Sequence, residues 1–183
     1  MPALRPEAIA GAVLEPDASD MDVHAIHQGF LRGLKNYDGQ VYTDARVIGL
    51  HRENNEWLVQ TPNRIWRTPI VINAAGAWAD HVGTLAGAQS IGLTPCRRSA
   101  FTFKPETECD FSHWPMTYGA SEDWYIKPDA GLMLGSPANA DPVEPHDVRP
   151  EELDIATAIY RIEEMTTLTI RRPSHTWAGL RSF

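Results

Sequence analysis

The stretch Val71-Ile72-Asn73-Ala74-Ala75-Gly76-Ala77-Trp78-Ala79 joins an apolar run to a group of small residues. The apolar run begins at Ile70 and is typical of a strand that is buried on both faces of a parallel or mixed sheet. The small residues that follow predict a tight corner, from which a helix continues to Leu85. A strand that turns into a helix in this way indicates an α+β domain, and small side chains let the backbone approach a neighbour closely.

The segment before this corner predicts one helix and an antiparallel meander. Asp22 is a suitable N-cap for the helix, which should end near Asn36 and Gly39. Apolar residues recur at helical spacing on one face of this helix: Val23, Ile26, Phe30, Leu31 and Leu34. The meander is predicted from β-branched and aromatic runs at residues 41–43, 45–51 and 57–61, with Glu53-Asn54-Asn55 as a turn.

The segment after the corner predicts further strands and one more helix. Strand signals separated by Gly, Pro and Asp turns lie at residues 93–103, 114–118, 124–127, 132–134 and 168–183. We expect these strands to form one mainly antiparallel sheet. Pro150, Glu151 and Glu152 suit the start of the helix, because Pro is tolerated in the first turn and carboxylates favour the positive end of the dipole. Its predicted buried stripe is Leu153, Ala156, Ile159 and Tyr160.

Composition and charge exclude several classes of protein. The 183 residues are 43% hydrophobic and 22% charged, as expected for a globular chain, and carry a formal charge of −8. An acidic chain without a basic stripe is a poor nucleic-acid binder, because phosphate contacts require Lys and Arg. The apolar run at the corner is too short to span a bilayer. Cys96 and Cys109 predict reduced thiols in a cytoplasmic protein rather than a disulfide framework.

Taken on its residues alone, the small-residue corner leaves two interpretations open. A helix that starts at small residues can bring free backbone N–H groups close to a phosphate. The same residues also suit a tight packing corner with no ligand. The G-x-G-x-x-G pattern that identifies a dinucleotide site is absent from the chain.

Four segments in order resemble the family of FAD-dependent D-amino-acid dehydrogenases and glycine oxidases. The corner resembles that family's V-V-N-A-A-G-A-W-A segment, and Asp44-Ala45-Arg46-Val47 followed by Trp57-Leu58-Val59 resembles its meander. Trp124-Tyr125-Ile126-Lys127-Pro128, with Gly131 and Gly135 after it, resembles a Y-x-x-P strand pair. Trp177-Ala178-Gly179-Leu180-Arg181 resembles the W-x-G-L-R strand. Four segments in family order are far more specific than any one of them.

The resemblance implies an α+β fold and a chain that covers the central part of such a protein. Residues 1–90 would be a partial FAD-binding domain without its N-terminal G-x-G-x-x-G unit. Residues 91–183 would be a largely antiparallel substrate-binding domain with flanking helices, ending before the glycine-rich segment that closes over the flavin. The last seven residues have no polar tail, which favours a chain that ends inside a structural element.

The resemblance also implies the activity and the residues of the site. The reaction would be the oxidation of the C–N bond of an amino acid to an imine, with the hydride passing to FAD. Arg181 and Tyr125 would bind the substrate carboxylate, since a guanidinium matches a carboxylate in two parallel hydrogen bonds. The backbone of Val47, Ala74, Ala75, Gly76 and the neighbouring Trp78 would contact the cofactor. No catalytic side-chain base is required.

Other interpretations remain at this stage. The chain could be a non-catalytic binding module that has kept the substrate sheet, or a packing domain whose corner has no ligand. His24 and His27 lie one helical turn apart, but no third metal ligand is evident, which favours a solvated helix face. By itself the chain is predicted to retain no FAD, to be inactive, and to self-associate through apolar surface. A cytoplasmic location is expected, with membrane association if a quinone reoxidises the flavin.

Overall fold

A computed structural model describes residues 1–106 and 110–183; Cys109 lies outside the described residues. The chain contains helices and antiparallel sheets in an α+β arrangement, which confirms the fold class expected from the sequence. The helices are α1 (Val23–Asn36), α2 (Ala79–Leu85) and α3 (Glu152–Met165), with 3-10 turns at Pro6–Ala8 and Gly76–Trp78. The strands are β1 (Gly49–Glu53), β2 (Glu56–Gln60), β3 (Ile65–Thr68), β4 (Pro95–Phe103), β5 (Thr117–Tyr118), β6 (Tyr125–Asp129), β7 (Leu132–Ser136), β8 (Asp141–Pro142) and β9 (His175–Ser182).

The chain divides into two compact units. The small unit is Ala12–Ile72, and the large unit combines Met1–Gly11 with Asn73–Phe183. These units are groups of residues within this chain. The boundary expected between a partial FAD-binding domain at residues 1–90 and a substrate-binding domain at residues 91–183 stays a proposal.

The small unit contains α1 and the antiparallel sheet β1-β2-β3. The side chain of Asp22 caps α1 by accepting a hydrogen bond from the Ala25 N–H at 2.8 Å, as the sequence predicted. Asn54 and Asn55 form a two-residue hairpin turn between β1 and β2, and both have positive φ. Asparagine tolerates this left-handed backbone better than most residues, so the turn follows from local sequence.

The large unit is organised around β4. Strand β9 pairs with β4 along one side, in a register from Pro95↔Ser182 to Thr102↔His175. The other side of β4 pairs with β7 and, further along, with the short β8. Strands β7, β6 and β5 then follow in order. The predicted antiparallel sheet is therefore confirmed for the strands at residues 95–103, 125–129, 132–136 and 175–182.

One face of this sheet is covered by α3, and the main core lies between them. Fully buried side chains from the sheet and the helix form this core: Phe101, Phe103, Ile126, Met133, Ala158 and Ile162. The N-terminal segment also joins it, since Ala3 is buried in the same cluster and Leu4 bridges to Thr166. The first residues contain no periodic pattern from which this contact could be predicted.

The structure corrects four expectations about local elements. Residues 70–72 form no strand, since no described strand pairs with them. Ile72 is 85% exposed. Residues 41–48 are likewise outside the strands, and the third strand of the meander is β3 instead. Residues 168–174 lead into β9 without belonging to it. The predicted stripe of α3 is correct only for Ile159, which is half-buried against the core. Its other members Leu153, Ala156 and Tyr160 are exposed, and the buried residues are Ile155, Ala158 and Ile162.

No helix among the described residues is both long enough and apolar enough to cross a membrane.

Candidate functional site

The register of the large sheet defines which side chains share a face. Ile126 on β6 pairs with Gly135 on β7, Gly135 pairs with Phe101 on β4, and Phe101 pairs with Thr176 on β9. Directly paired residues point to the same face, and a Cβ placed on Gly135 would lie 3.0 Å from Cδ1 of Ile162 in α3. This row therefore faces α3. We call the opposite face, to which the adjacent residues point, the far face.

Arg181 and Tyr125 both point to the far face. Tyr125 precedes Ile126, which faces α3, so alternation turns Tyr125 to the other side. Arg181 is five residues after Thr176 on the unbroken β9 ladder, an odd spacing that also places it on the far face. Strands β7 and β4 lie between the two residues. The sequence predicted the two residues but could not supply this shared orientation.

Arg181 is exposed and contacts an aromatic ring instead of a carboxylate. Its guanidinium carbon lies 5.3 Å from the centroid of Phe183. Within residues 1–106 and 110–183, no ion pair to Arg181 is present. A cation held over a ring keeps most of its donors available, because the ring contact uses none of the N–H directions.

The corner at residues 73–78 is held by the Asn73 side chain. Its amide donates to the Ala79 carbonyl at 2.8 Å, and its oxygen accepts from the Ala75 N–H at 3.3 Å. Gly76 has φ +55°, a left-handed conformation that glycine adopts without a steric penalty. The sequence N-A-A-G at this point is therefore explained locally by a side-chain clamp followed by a turn.

The 3-10 turn Gly76–Trp78 lies beside β9, with Cα atoms of the two elements within 8 Å. Ala77 is buried there, whereas Ala74, Gly76 and Trp78 are exposed. The structure thus brings four of the predicted cofactor residues, at 74–76 and 78, into the same unit as Arg181. The fifth, Val47, is half-buried and belongs to the small unit.

Asp80, the second residue of α2, ties the start of this helix to the loop before β4. Its carboxylate accepts hydrogen bonds from the Ser90 hydroxyl, from the Ile91 N–H at 3.1 Å and from the Gly92 N–H at 3.2 Å. These bonds, first of all the one from Ser90, lower the pKa of Asp80 from its ordinary value. No sequence pattern pointed to this role, because the partners are ten or more residues away.

A second polar cluster surrounds Arg97 at the junction of β4, β8 and α3. Its guanidinium pairs with Glu151, with Asp141 at 3.3 Å, and with Asp154 at 3.3 Å in an ion-pair contact without hydrogen-bond geometry. The side chain is only 13% exposed. Burial alone would lower the pKa of Arg97, but the bond to Glu151 and the charges of Asp154, Glu151 and Asp141 raise it overall. Arg97 thus anchors the sheet to the helix.

Two aromatic rings on β9 were missed as site candidates. Trp177 belongs to the W-x-G-L-R segment, but neither it nor His175 is among the residues that the sequence predicts for the site. The rings stack with centroids 5.7 Å apart and planes inclined by 20°. Both residues alternate with Thr176 and therefore point to the far face with Arg181. The two residues are two positions apart in a predicted strand, and this spacing indicates that their side chains share a face.

The sequence as a whole matches a model of one protein family. The family model described as FAD dependent oxidoreductase, DAO, covers residues 1–183. The chain belongs to this family of FAD-dependent oxidoreductases. Membership implies FAD as the cofactor of the family, and it agrees with the resemblance found in the four sequence segments.

Solved structures of similar fold include three oxidoreductases. L-proline dehydrogenase from P. horikoshii has a TM-score of 0.70 and 24% identity, covering 86% of this chain and 42% of that one. Glycine oxidase from Geobacillus kaustophilus has a TM-score of 0.65 and 17% identity, over 79% and 38%. Iminodiacetate oxidase from Chelativorans sp. BNC1 has a TM-score of 0.66 and 15% identity, over 86% and 42%. At these identities the likeness concerns the fold.

Curated relatives include mitochondrial dimethylglycine dehydrogenase of Mus musculus and of Rattus norvegicus. Each is 25% identical over 138 residues, which is 73% of this chain and 16% of the relative. The chain therefore spans less than half of the solved structures and about a sixth of these curated relatives.

Proposed function

We propose that this chain carries the substrate-binding sheet of an FAD-dependent enzyme that oxidises the C–N bond of an amino acid of the D-amino acid, glycine or sarcosine type. The observation that carries the proposal is the common orientation of Arg181 and Tyr125 on the far face. An exposed guanidinium without a carboxylate partner among the described residues is suited to a carboxylate ligand. A phenol on the same face adds a hydrogen-bond donor.

The names of the similar proteins support the same class of substrate. Proline, glycine, iminodiacetate and dimethylglycine are all amino acids in which an amine is one carbon away from a carboxylate. They differ in the substitution of the nitrogen but share the carboxylate. A site that holds the carboxylate by a fixed cation therefore suits every member of this group.

The residues of this chain have a binding and orienting role in the proposed reaction. FAD, when bound, supplies the acceptor for the hydride that leaves the α-carbon. Arg181 and Tyr125 would fix the carboxylate and so position the α-carbon. The paired rows place Tyr125 level with Trp177, four residues before Arg181, and β7 and β4 separate the two strands. A shared ligand therefore requires the twist of the sheet as well as the reach of both side chains. Ala74 and Gly76, which are exposed in the large unit, would contact the cofactor, and a cofactor contact of Val47 in the small unit stays a separate proposal.

The residues of this chain are suited to binding only part of the FAD molecule. The chain contains no G-x-G-x-x-G turn for the ADP half, and no described residue supplies an equivalent phosphate loop. We therefore expect the 183-residue chain alone to retain no FAD, to be inactive, and to self-associate. Apolar side chains exposed in the small unit, such as Phe30 and Ile72, suit such association. A stoichiometric flavin absorbance band on the purified chain would contradict this expectation.

Substitution of Arg181 in the longer protein that contains this chain tests the proposal. We expect Arg181→Ala to raise the KM for the amino acid about a hundredfold, because a charge-assisted bidentate contact contributes roughly 2–3 kcal/mol. Flavin content should not change. The measurement is the initial rate of turnover with an artificial electron acceptor at increasing amino-acid concentration.

Arg172→Ala is the matched control, since Arg172 is an exposed arginine outside the strands. Its KM should equal that of the unmodified protein. An unchanged KM in Arg181→Ala would show that the carboxylate is bound elsewhere. Retention of FAD without reduction by any amino acid would favour the non-catalytic binding module.

A further inference from the structure

Gly179 lies in the interior of β9, where a glycine lowers the stability of the strand. Glycine loses more backbone freedom on folding than other residues and weakens a strand. It is paired with Arg98 within eight consecutive pairs, so no bulge explains it. A strand glycine is then explained by a left-handed backbone, by a crowded neighbour, or by the close approach of a ligand or of another backbone segment.

The first two explanations do not apply to Gly179. Its φ is not in the left-handed region, and a Cβ built on it would meet no atom within 4 Å. The other sheet glycines differ: Gly135 is crowded by Phe101 at 2.7 Å, and Gly131 turns the chain with φ +82°. Among the residues that the structure describes, nothing requires residue 179 to lack a side chain.

The empty position above Gly179 is bounded by two functional groups. Trp177 and Arg181 precede and follow it by two residues and point to the same far face. Its cross-strand partner Arg98 is held elsewhere, since its guanidinium donates to the carbonyls of Asn139 at 3.0 Å and Ala138 at 2.9 Å. The far face of β9 therefore has a cation, a gap and a flat aromatic ring in a row. The Cα atoms at its two ends are about 13 Å apart, from four steps of ~3.3 Å.

We infer that Gly179 is a specificity-determining residue, whose missing side chain makes room for the α-carbon and amine of a compact amino acid. This inference rests on the proposed function. The carboxylate pairs with Arg181, the α-carbon lies over Gly179, and substituents on the nitrogen or α-carbon extend towards Trp177. A methyl group at position 179 narrows this gap and therefore weakens the binding of bulky amino acids more than that of small ones.

The test compares Gly179→Ala with the unmodified longer protein that contains this chain, using glycine, proline and N,N-dimethylglycine as probes. We expect KM to rise about tenfold for proline and dimethylglycine and by less for glycine, as for one methylene in a tight pocket. The melting temperature without ligand should stay the same or rise, because the strand loses a glycine. The rise in melting temperature on adding proline should shrink, since the stabilisation by a ligand at fixed concentration increases with the logarithm of its affinity.

Gly11→Ala is the matched control, because its Cβ also meets no atom within 4 Å and it lies outside the sheet. It should leave KM and the proline-induced shift unchanged. Unchanged KM for all probes in Gly179→Ala would overturn the inference and leave the proposed function standing. Loss of FAD from the variant would also overturn it, because the gap would then hold the cofactor. If the unmodified protein reduces its flavin with no amino acid, both proposals fail.

Discussion

The two units of the chain differ in how they use the same kinds of secondary structure. In the large unit, α3 buries Ile155, Ala158 and Ile162 against a sheet that contributes fully buried phenylalanines. In the small unit, α1 has the same length of 14 residues and a clear apolar face, yet none of its residues is buried. Leu50 is the one buried apolar side chain among the described residues of that unit.

This contrast shows that an amphipathic pattern and a packed core are separate properties. Helical spacing and a cap are enough to specify where α1 begins and ends. Stability, however, comes mainly from burying the apolar face against another element. The large unit therefore has the means to hold a site in place by itself, whereas the small unit has the local structure without a comparable core.

The largest expected difference between the units concerns phenylalanine. We expect Phe101→Ala to lower the free energy of unfolding by about 3–5 kcal/mol, because it empties a fully buried position. Phe30→Ala in α1 removes a ring that is 76% exposed and should change stability by less than about 0.5 kcal/mol. Urea unfolding of the 183-residue chain measures both. Similar losses for the two variants would mean that α1 is packed after all.

A smaller difference is expected for two arginines. Arg97→Met leaves Asp141, Glu151 and Asp154 without their cation, one of them largely buried, and should cost about 3 kcal/mol. Arg67→Met breaks one exposed pair with Glu53 in the small unit and should cost less than about 1 kcal/mol. Thermal unfolding in low and high salt measures both. Equal effects that vanish together in high salt would contradict the anchoring role of Arg97.

The smallest expected effect concerns one carboxylate in each unit, the half-buried Asp80 and the exposed Asp17. The folded pKa of Asp80 is below its ordinary value of 3.8, so its stabilisation is present above that pH and is lost as pH falls through the folded pKa. Asp80→Asn should therefore lower the melting temperature at pH 7, and the difference should disappear at strongly acidic pH. Asp17→Asn, an exposed position in the small unit, should have little effect at either pH. A deficit in Asp80→Asn that does not depend on pH would refute the role of the charge.

Sequence reasoning was most successful where the cause is local. The α1 cap at Asp22 and the Asn54-Asn55 turn were both predicted, because each depends on residues within three positions. It failed for residues 70–72, where an apolar run was interpreted as a buried strand. A strand requires a hydrogen-bonding neighbour, and no described segment supplies one.

For the candidate site, the sequence by itself determined the residue types and their family order, including Arg181 and Tyr125. Only the tertiary structure decided that these two residues share a face and that the position above Gly179 is empty. The helix α3 illustrates the same limit, because its sequence predicted a different stripe from the one that packing buries, which is Ile155, Ala158 and Ile162. The physical reason is that a side chain's face depends on pairing register and on its partner element, and a one-residue shift in register reverses it.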